Sequence, residues 1–180
     1  MTVETTRAPD TSRERPPVTS SSAAPEGAYS FDIPIRIADL SPAAHISNVA
    51  FLRYVDEARM AFFGAALRGS SRYVGGLLET IGEVAMAVVA RNELEYRREV
   101  FTDDGPVTMR LWIPYIGGSS FVLAGEAVTA GHEAPAMVFE STTVFVERTT
   151  GKTWSIDDSA REVLSAWGGP RPHLRGRAGL

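Results

Sequence analysis

The chain has 180 residues, 44% of them hydrophobic and 22% charged, a composition that supports one domain with a core of its own. Eighteen Lys and Arg against 22 Asp and Glu give a net charge of -4, which supplies no cationic field for a polyphosphate backbone, so no nucleic-acid partner is expected. The absence of cysteine excludes a thiol nucleophile, a disulfide framework and a thiolate metal site, and no apolar run approaches the roughly 20 residues that a membrane-spanning helix needs.

Residues 1–28 are Thr, Ser, Pro, Ala and charge without a periodic apolar face. Such a segment cannot bury enough surface to offset its ordering entropy, and a disordered N-terminal tail is expected. Its opening, MTVETTRAPDTSRERPP, lacks the apolar core of a secretory signal, which makes the cytoplasm the expected location. From Tyr29 the character changes: Phe31, Ile33 and Ile35 alternate with polar or turn residues, the period of a strand with one buried face. After a break at 39–44 the spacing of Val49, Leu52, Val55, Met60 and Phe63 predicts a helix over about 47–67, with Ser47 or Asn48 as its cap and Gly69 beyond its end. Phe51, Ala58, Ala61, Phe62, Ala65 and Ala66 make that helix apolar around much of its circumference, so it is expected to be central and mostly surrounded by protein.

Beyond a turn at Gly75 and Gly76, the chain reads as strands over about 84–100, 106–115, 120–130 and 136–148. Val107, Met109, Leu111 and Ile113 share one face of the second, and Met137, Phe139, Ser141, Thr143 and Phe145 share a face of the last. Breaks at 103–105, 117–118 and 131–133 suit turns between antiparallel neighbours, so the four strands read as a meander. A TTGK turn at 149–152 ends the last strand and a short helix is expected over about 159–167. The domain thus runs from 29 to 167, and residues 168–180 form a small basic C-terminal tail.

The chemistry is concentrated in residues 36–59, RIADLSPAAHISNVAFLRYVDEAR, which join the first strand to the helix and bring Asp39, Ser41, His45 and Asn48 into one short connection. A base, a hydroxyl and the free amides of a helix start are what a reaction site requires. This segment resembles the signature of hot-dog-fold thioesterases of the 4-hydroxybenzoyl-CoA and acyl-CoA type, D-x-D-x-x-G-H-x-N-N followed by an aromatic-rich helix ending E-x-A-R. Asp39 falls on the first acid, His45 on the His, Asn48 on the second Asn and Glu57-Ala58-Arg59 on the helix ending. The closing VERTTGKTWSIDDSAR is similar to the family's ending before a short helix, so the resemblance covers about residues 30–165. Ser41 stands where many members place a catalytic carboxylate, Ala44 stands at the Gly, and Ala43 stands where related plant acyl-carrier-protein thioesterases have an Asn.

The resemblance implies an α+β hot-dog fold, a long antiparallel sheet wrapped around a central helix, and hydrolysis of an acyl-CoA thioester. An acyl-carrier-protein thioester, or acyl-thioester binding without turnover, are the alternatives. In that reading the Asn48 amide holds the oxyanion, favoured by the helix dipole, while His45 is base to water or a structural part of the corner. Asp39 orients His45 or caps a turn; Glu57 or Glu95 would replace the missing acid if a dimer brings a partner helix or strand across the site, Glu57 being otherwise a solvated ion pair or interface contact; and Ser41 would be a nucleophile activated by His45. Phe51, Tyr54, Phe62 and Phe63 would line an apolar acyl pocket with Asn92 pointing into it, and Arg97 and Arg98, with Arg91 and Arg110, would meet the phosphates of coenzyme A. No cofactor and no metal are expected, since isolated His residues without paired acids do not form a site. Unpaired sheet edges predict a homodimer or a dimer of dimers.

Overall fold

The structure is a computed structural model that describes residues 22–64, 81–132 and 134–175. β1 (Tyr29–Ile33) leads through a 3-10 turn at Ile37–Asp39 into α1 (Asn48–Phe63). Four strands follow: β2 (Ala85–Tyr96), β3 (Val107–Ile116), β4 (Ser120–Thr129) and β5 (Met137–Glu147). The short helix α2 (Asp158–Ser165) comes last, capped by the Asp157 carboxylate on the Ala160 amide at 2.8 Å. The five strands form one antiparallel sheet in the order β1-β3-β4-β5-β2, the α+β architecture expected of the hot-dog fold.

Strand order corrects the predicted meander. Only β3, β4 and β5 follow one another in space; β2 pairs with β5 and β1 with β3. The break at 103–105 therefore belongs to a connection running from one side of the sheet to the other rather than to a hairpin. Alternation along a strand specifies which residues face the core, and it is silent on which strand lies alongside.

Side chains of alternating positions divide the sheet into two faces. Met109, Leu111, Phe121, Leu123, Met137, Phe139 and Phe145 meet Ala50, Phe51, Tyr54, Val55, Ala58, Phe62 and Phe63 of α1 in the main core. Gly125 leaves room for the Phe139 ring to lie over β4, because a Cβ there would stand 2.6 Å from Phe139 Cζ as well as 2.8 Å from the Arg110 carbonyl oxygen. Trp167, just after α2, closes one end against Phe62 and Tyr29 with ring centroids 5.2 and 6.0 Å apart.

α1 is less enclosed than its composition predicts. Val49, Leu52 and Met60 lie on an open side, 70%, 38% and 52% exposed. β2 forms one edge of the sheet and also leaves Met86, Val88 and Val89 exposed. The expected cap at Gly69, the helix end at 65–67 and the turn at Gly75–Gly76 lie outside the described residues.

Both expected tails have parts laid against the outer face of the sheet. Ser22 donates to the fully buried Glu126 carboxylate, and the Ala23 amide donates to it across 3.1 Å. Residues 168–175 cross the same face from β3 to β2. Composition marks these segments as poor core formers, yet the buried carboxylates of the sheet supply them with partners.

Candidate active site

The connection between β1 and α1 is a tight corner. Leu40 and Ile46 form an antiparallel bridge, the Ser41 amide donates to the His45 carbonyl at 2.7 Å, and the Ala44 amide donates to the Ser41 carbonyl at 2.9 Å. Closing the turn puts Ala44 at φ 64°, in the left-handed region that a residue without Cβ occupies more readily. The Ser41 hydroxyl accepts from the Ala43 amide at 3.2 Å. From either side, the Ile46 amide donates to the Val100 carbonyl and the Ser47 amide to the Asp39 carbonyl, each at 2.8 Å.

Asp39 is fully buried and meets three donors: the Arg36 amide at 2.9 Å, the Tyr54 hydroxyl at 2.7 Å and Arg53 Nη2 at 2.5 Å. Burial pushes its carboxyl up, but the Tyr54 and Arg36 hydrogen bonds and the Arg53 charge outweigh it and hold the group below the ordinary carboxylate range. Burial and the same contact push the Tyr54 phenol up. With these partners the carboxylate fastens the corner to α1, and Tyr54, expected in the acyl pocket, turns its hydroxyl to that task.

His45 is half-buried, with Nδ1 3.0 Å from the Ile46 carbonyl oxygen and its ring edge-on to Phe101 at 6.3 Å. A carbonyl oxygen only accepts, so Nδ1 carries a hydrogen, and in the neutral imidazole Nε2 is then the nitrogen with the lone pair that a general base uses. Two residues on, Ser47 caps α1 by accepting from the Ala50 amide at 3.2 Å. The cap serves the third amide of the helix; those of exposed Asn48 and of Val49 come before any intrahelical acceptor and lie at the positive end of the helix dipole. Tyr96 Oη donates to the Asn48 carbonyl at 3.2 Å, and its ring lies 5.8 Å from that of Phe51. Burial pushes the Tyr96 phenol up.

Four of the five residues expected to carry catalysis, Asp39, Ser41, His45 and Asn48, meet in this corner. Glu57 pairs with Arg36 at 3.2 Å. Phe51 is buried against Tyr54 and Tyr96. Asn92 lies under the far half of α1, where its amide oxygen and the Ser141 hydroxyl accept from Arg59 at 3.3 and 3.2 Å. Arg59 is about 16 Å along the helix from Asn48.

The arginines expected for phosphates have partners within the chain. Arg97 holds Glu95 at 3.0 Å and the His173 carbonyl at 2.5 Å. Arg98 holds Thr129 and, at 3.6 Å, Asp104, while Arg91 and Arg110 face Glu93 and Glu126. Tyr96, Phe101 and Arg53 border the corner without having been singled out from the sequence, because nothing local distinguishes them from other strand and helix residues. Among the described residues, no group of three or more His, Asp or Glu could hold a metal, and no helix is long and apolar enough to cross a membrane.

Comparison with known proteins agrees with this architecture. No curated protein matches the chain. A thioesterase superfamily structure from Jannaschia sp. CCS1 is similar at 18% identity and TM-score 0.67, covering 81% of this chain and 96% of that one. YbaW, a probable thioesterase from Escherichia coli, is similar at 19% identity and TM-score 0.62, covering 77% and 97%. A Thermus thermophilus thioesterase complexed with coenzyme A and Zn is similar at 25% identity and TM-score 0.60, covering 80% and 96%. The family model for the thioesterase-like superfamily matches residues 35–167, which span the corner, the helix and the whole of the sheet beyond β1. The chain belongs to the thioesterase-like superfamily.

Proposed function

We propose that the protein hydrolyses acyl-CoA thioesters to a carboxylic acid and coenzyme A, with His45 as general base and the start of α1 as oxyanion site. The observation that carries this reading is the Nδ1 contact of His45 with the Ile46 carbonyl, which leaves Nε2 free to take a proton three residues before the uncapped amides. Water adds its oxygen to the thioester carbonyl carbon as Nε2 takes its proton. The carbonyl oxygen becomes an oxyanion facing the Asn48 amide. When the tetrahedral intermediate collapses, the C–S bond breaks, and His45 returns the proton to the departing thiolate.

Ser41 stands in the position of the family's usual acid, and the fully engaged Asp39 carboxylate is poorly placed to substitute for it. That leaves the imidazole as the base best supported by the geometry. Coenzyme A as the thiol carrier is supported by the similarity to the coenzyme A-bound Thermus protein. The exposed apolar side of α1 and the β2 edge, with Leu52, Met60, Val88 and Val89, favour a homodimer that buries both.

Thiol release from short, long and aromatic acyl-CoAs tests the reading, with acyl-carrier-protein esters as a second arm. Turnover should fall by about 100-fold or more in His45→Ala and persist in Ser41→Ala. Preference for the carrier-protein esters would replace the carrier. No turnover on any ester, with acyl-CoA binding retained by folded protein, would make the protein a binder.

A further inference from the structure

The family match ends at Trp167, and the next eight residues form a strap across the outer face of the sheet. Gly168 bridges to Ile113 of β3, Trp112 Nε1 donates to the Pro170 carbonyl at 2.6 Å, and Arg171 pairs with Glu140 of β5 at 3.3 Å. Leu174 is buried. The strap ends on β2: the Arg175 amide donates to Glu95 at 2.7 Å, Arg175 Nε lies 3.4 Å from the same carboxylate, and Arg97 reaches the His173 carbonyl at 2.5 Å. Burial raises the Glu95 carboxyl, and the Arg175 amide with Arg97 and Arg175 more than reverses that.

Alternation along β2 sends Glu95 and Arg97 to the strap and Tyr96 to the opposite face, where it holds the Asn48 carbonyl and lies against Phe51. Register with β5 ends at Tyr96, so the following residues leave the sheet's ladder. They nevertheless reach the candidate site: the Val100 carbonyl accepts from Ile46, and Phe101 bridges to His45. One short segment, 95–101, is therefore clamped from behind by the C-terminal strap while its other side holds both His45 and the start of α1.

We infer that the C-terminal strap is a positioning element of the candidate active site, setting through Glu95, Arg97 and Tyr96 where the 95–101 segment holds His45 and Asn48. Surface ion pairs alone would contribute little. The strap instead combines backbone acceptors, a buried carboxylate and the Trp112 contact. A small displacement of a positioned base is enough to slow a reaction that depends on its alignment.

The kinetic part of this inference rests on the proposed hydrolysis, and amide exchange tests the rest without it. Gly169→Val in the full chain wedges the strap away, because a Cβ at Gly169 would stand 2.5 Å from Trp112 Cδ1 and 2.9 Å from Pro25 Cγ. Release is verified by faster trypsin cleavage after Arg175. The expected result is a kcat lower by about tenfold at unchanged KM, with faster exchange of the Ile46 amide and wild-type protection across β4. Unchanged kcat and Ile46 protection in a released strap would overturn the inference, as would a uniform loss of protection over the whole sheet. Glu95→Gln with Arg175→Ala, read the same way, serves if the wedge prevents folding. A wild-type protein without turnover defeats the hydrolase reading alone, and Ile46 exchange then decides the strap.

Discussion

The Tyr54 hydroxyl lies 2.7 Å from Asp39 Oδ2, joining the second turn of α1 to the corner that follows β1. Asp39→Asn keeps the shape and removes the charge, leaving the amide's NH₂ among groups that are themselves donors. A loss of about 3 kcal/mol is expected at neutral pH, from a buried donor set that loses its acceptor. The depressed carboxyl gives stability that is fully present above the ordinary Asp value of 3.8 and lost as pH falls through its lower folded value. Urea unfolding across pH should therefore show the two proteins converging in acid. A constant gap down to the acid limit would mean that Asp39 is not the charged anchor described.

Ala44 sits at φ 64° to let Ser41 and His45 close the corner. Ala44→Gly relieves the left-handed strain at the cost of a more flexible unfolded chain, and a net gain of about 0.5–1 kcal/mol is expected. The denaturant midpoint should rise with an unchanged slope. A fall in midpoint would show that the turn holds Ala without strain.

Gly125 gives way to the Phe139 ring within the sheet, where a Cβ would come within 2.6 Å of Phe139 Cζ and 2.8 Å of the Arg110 carbonyl. Neither neighbour is the free end of a flexible chain. Gly125→Ala should cost about 2 kcal/mol through overpacking, measured as a lower melting temperature. Wild-type stability would require a core looser than the one described.

Leu52 on α1 and Val88 on β2 are 38% and 42% exposed in the single chain. Charging both, as Leu52→Asp with Val88→Asp, leaves the main core untouched, yet would place carboxylates inside the proposed dimer. Light scattering should then give half the wild-type mass, with secondary structure preserved. An unchanged dimeric mass would move the interface elsewhere.

Much of the element order was legible without coordinates because its signals are local. Period-2 alternation in β3 and β5, the apolar spacing of α1 and the Ser47 cap all act within a few residues. The corner was legible for the same reason: Asp39, Ser41, His45 and Asn48 are close along the chain, and the tight turn brings them together. Their division of labour was not. Asp39 became an anchor because Tyr54 and Arg53, on the helix beyond the corner, point back at it.

Periodicity and capping thus determined the strand faces and the helix, while the resemblance of residues 36–59 supplied the α+β hot-dog class and the corner taken as the candidate site. Only the tertiary structure decided that β2 pairs with β5, that one side of α1 stays open, and that Arg97 and Arg98 face partners in their own chain. It also decided that residues 168–175 lie on the sheet, where Glu95 and Glu140 await cations from the far end of the chain. The difference is physical: hydrophobic period and capping are set by neighbours in sequence, whereas strand order and the partners of buried charges depend on contacts between residues tens of positions apart.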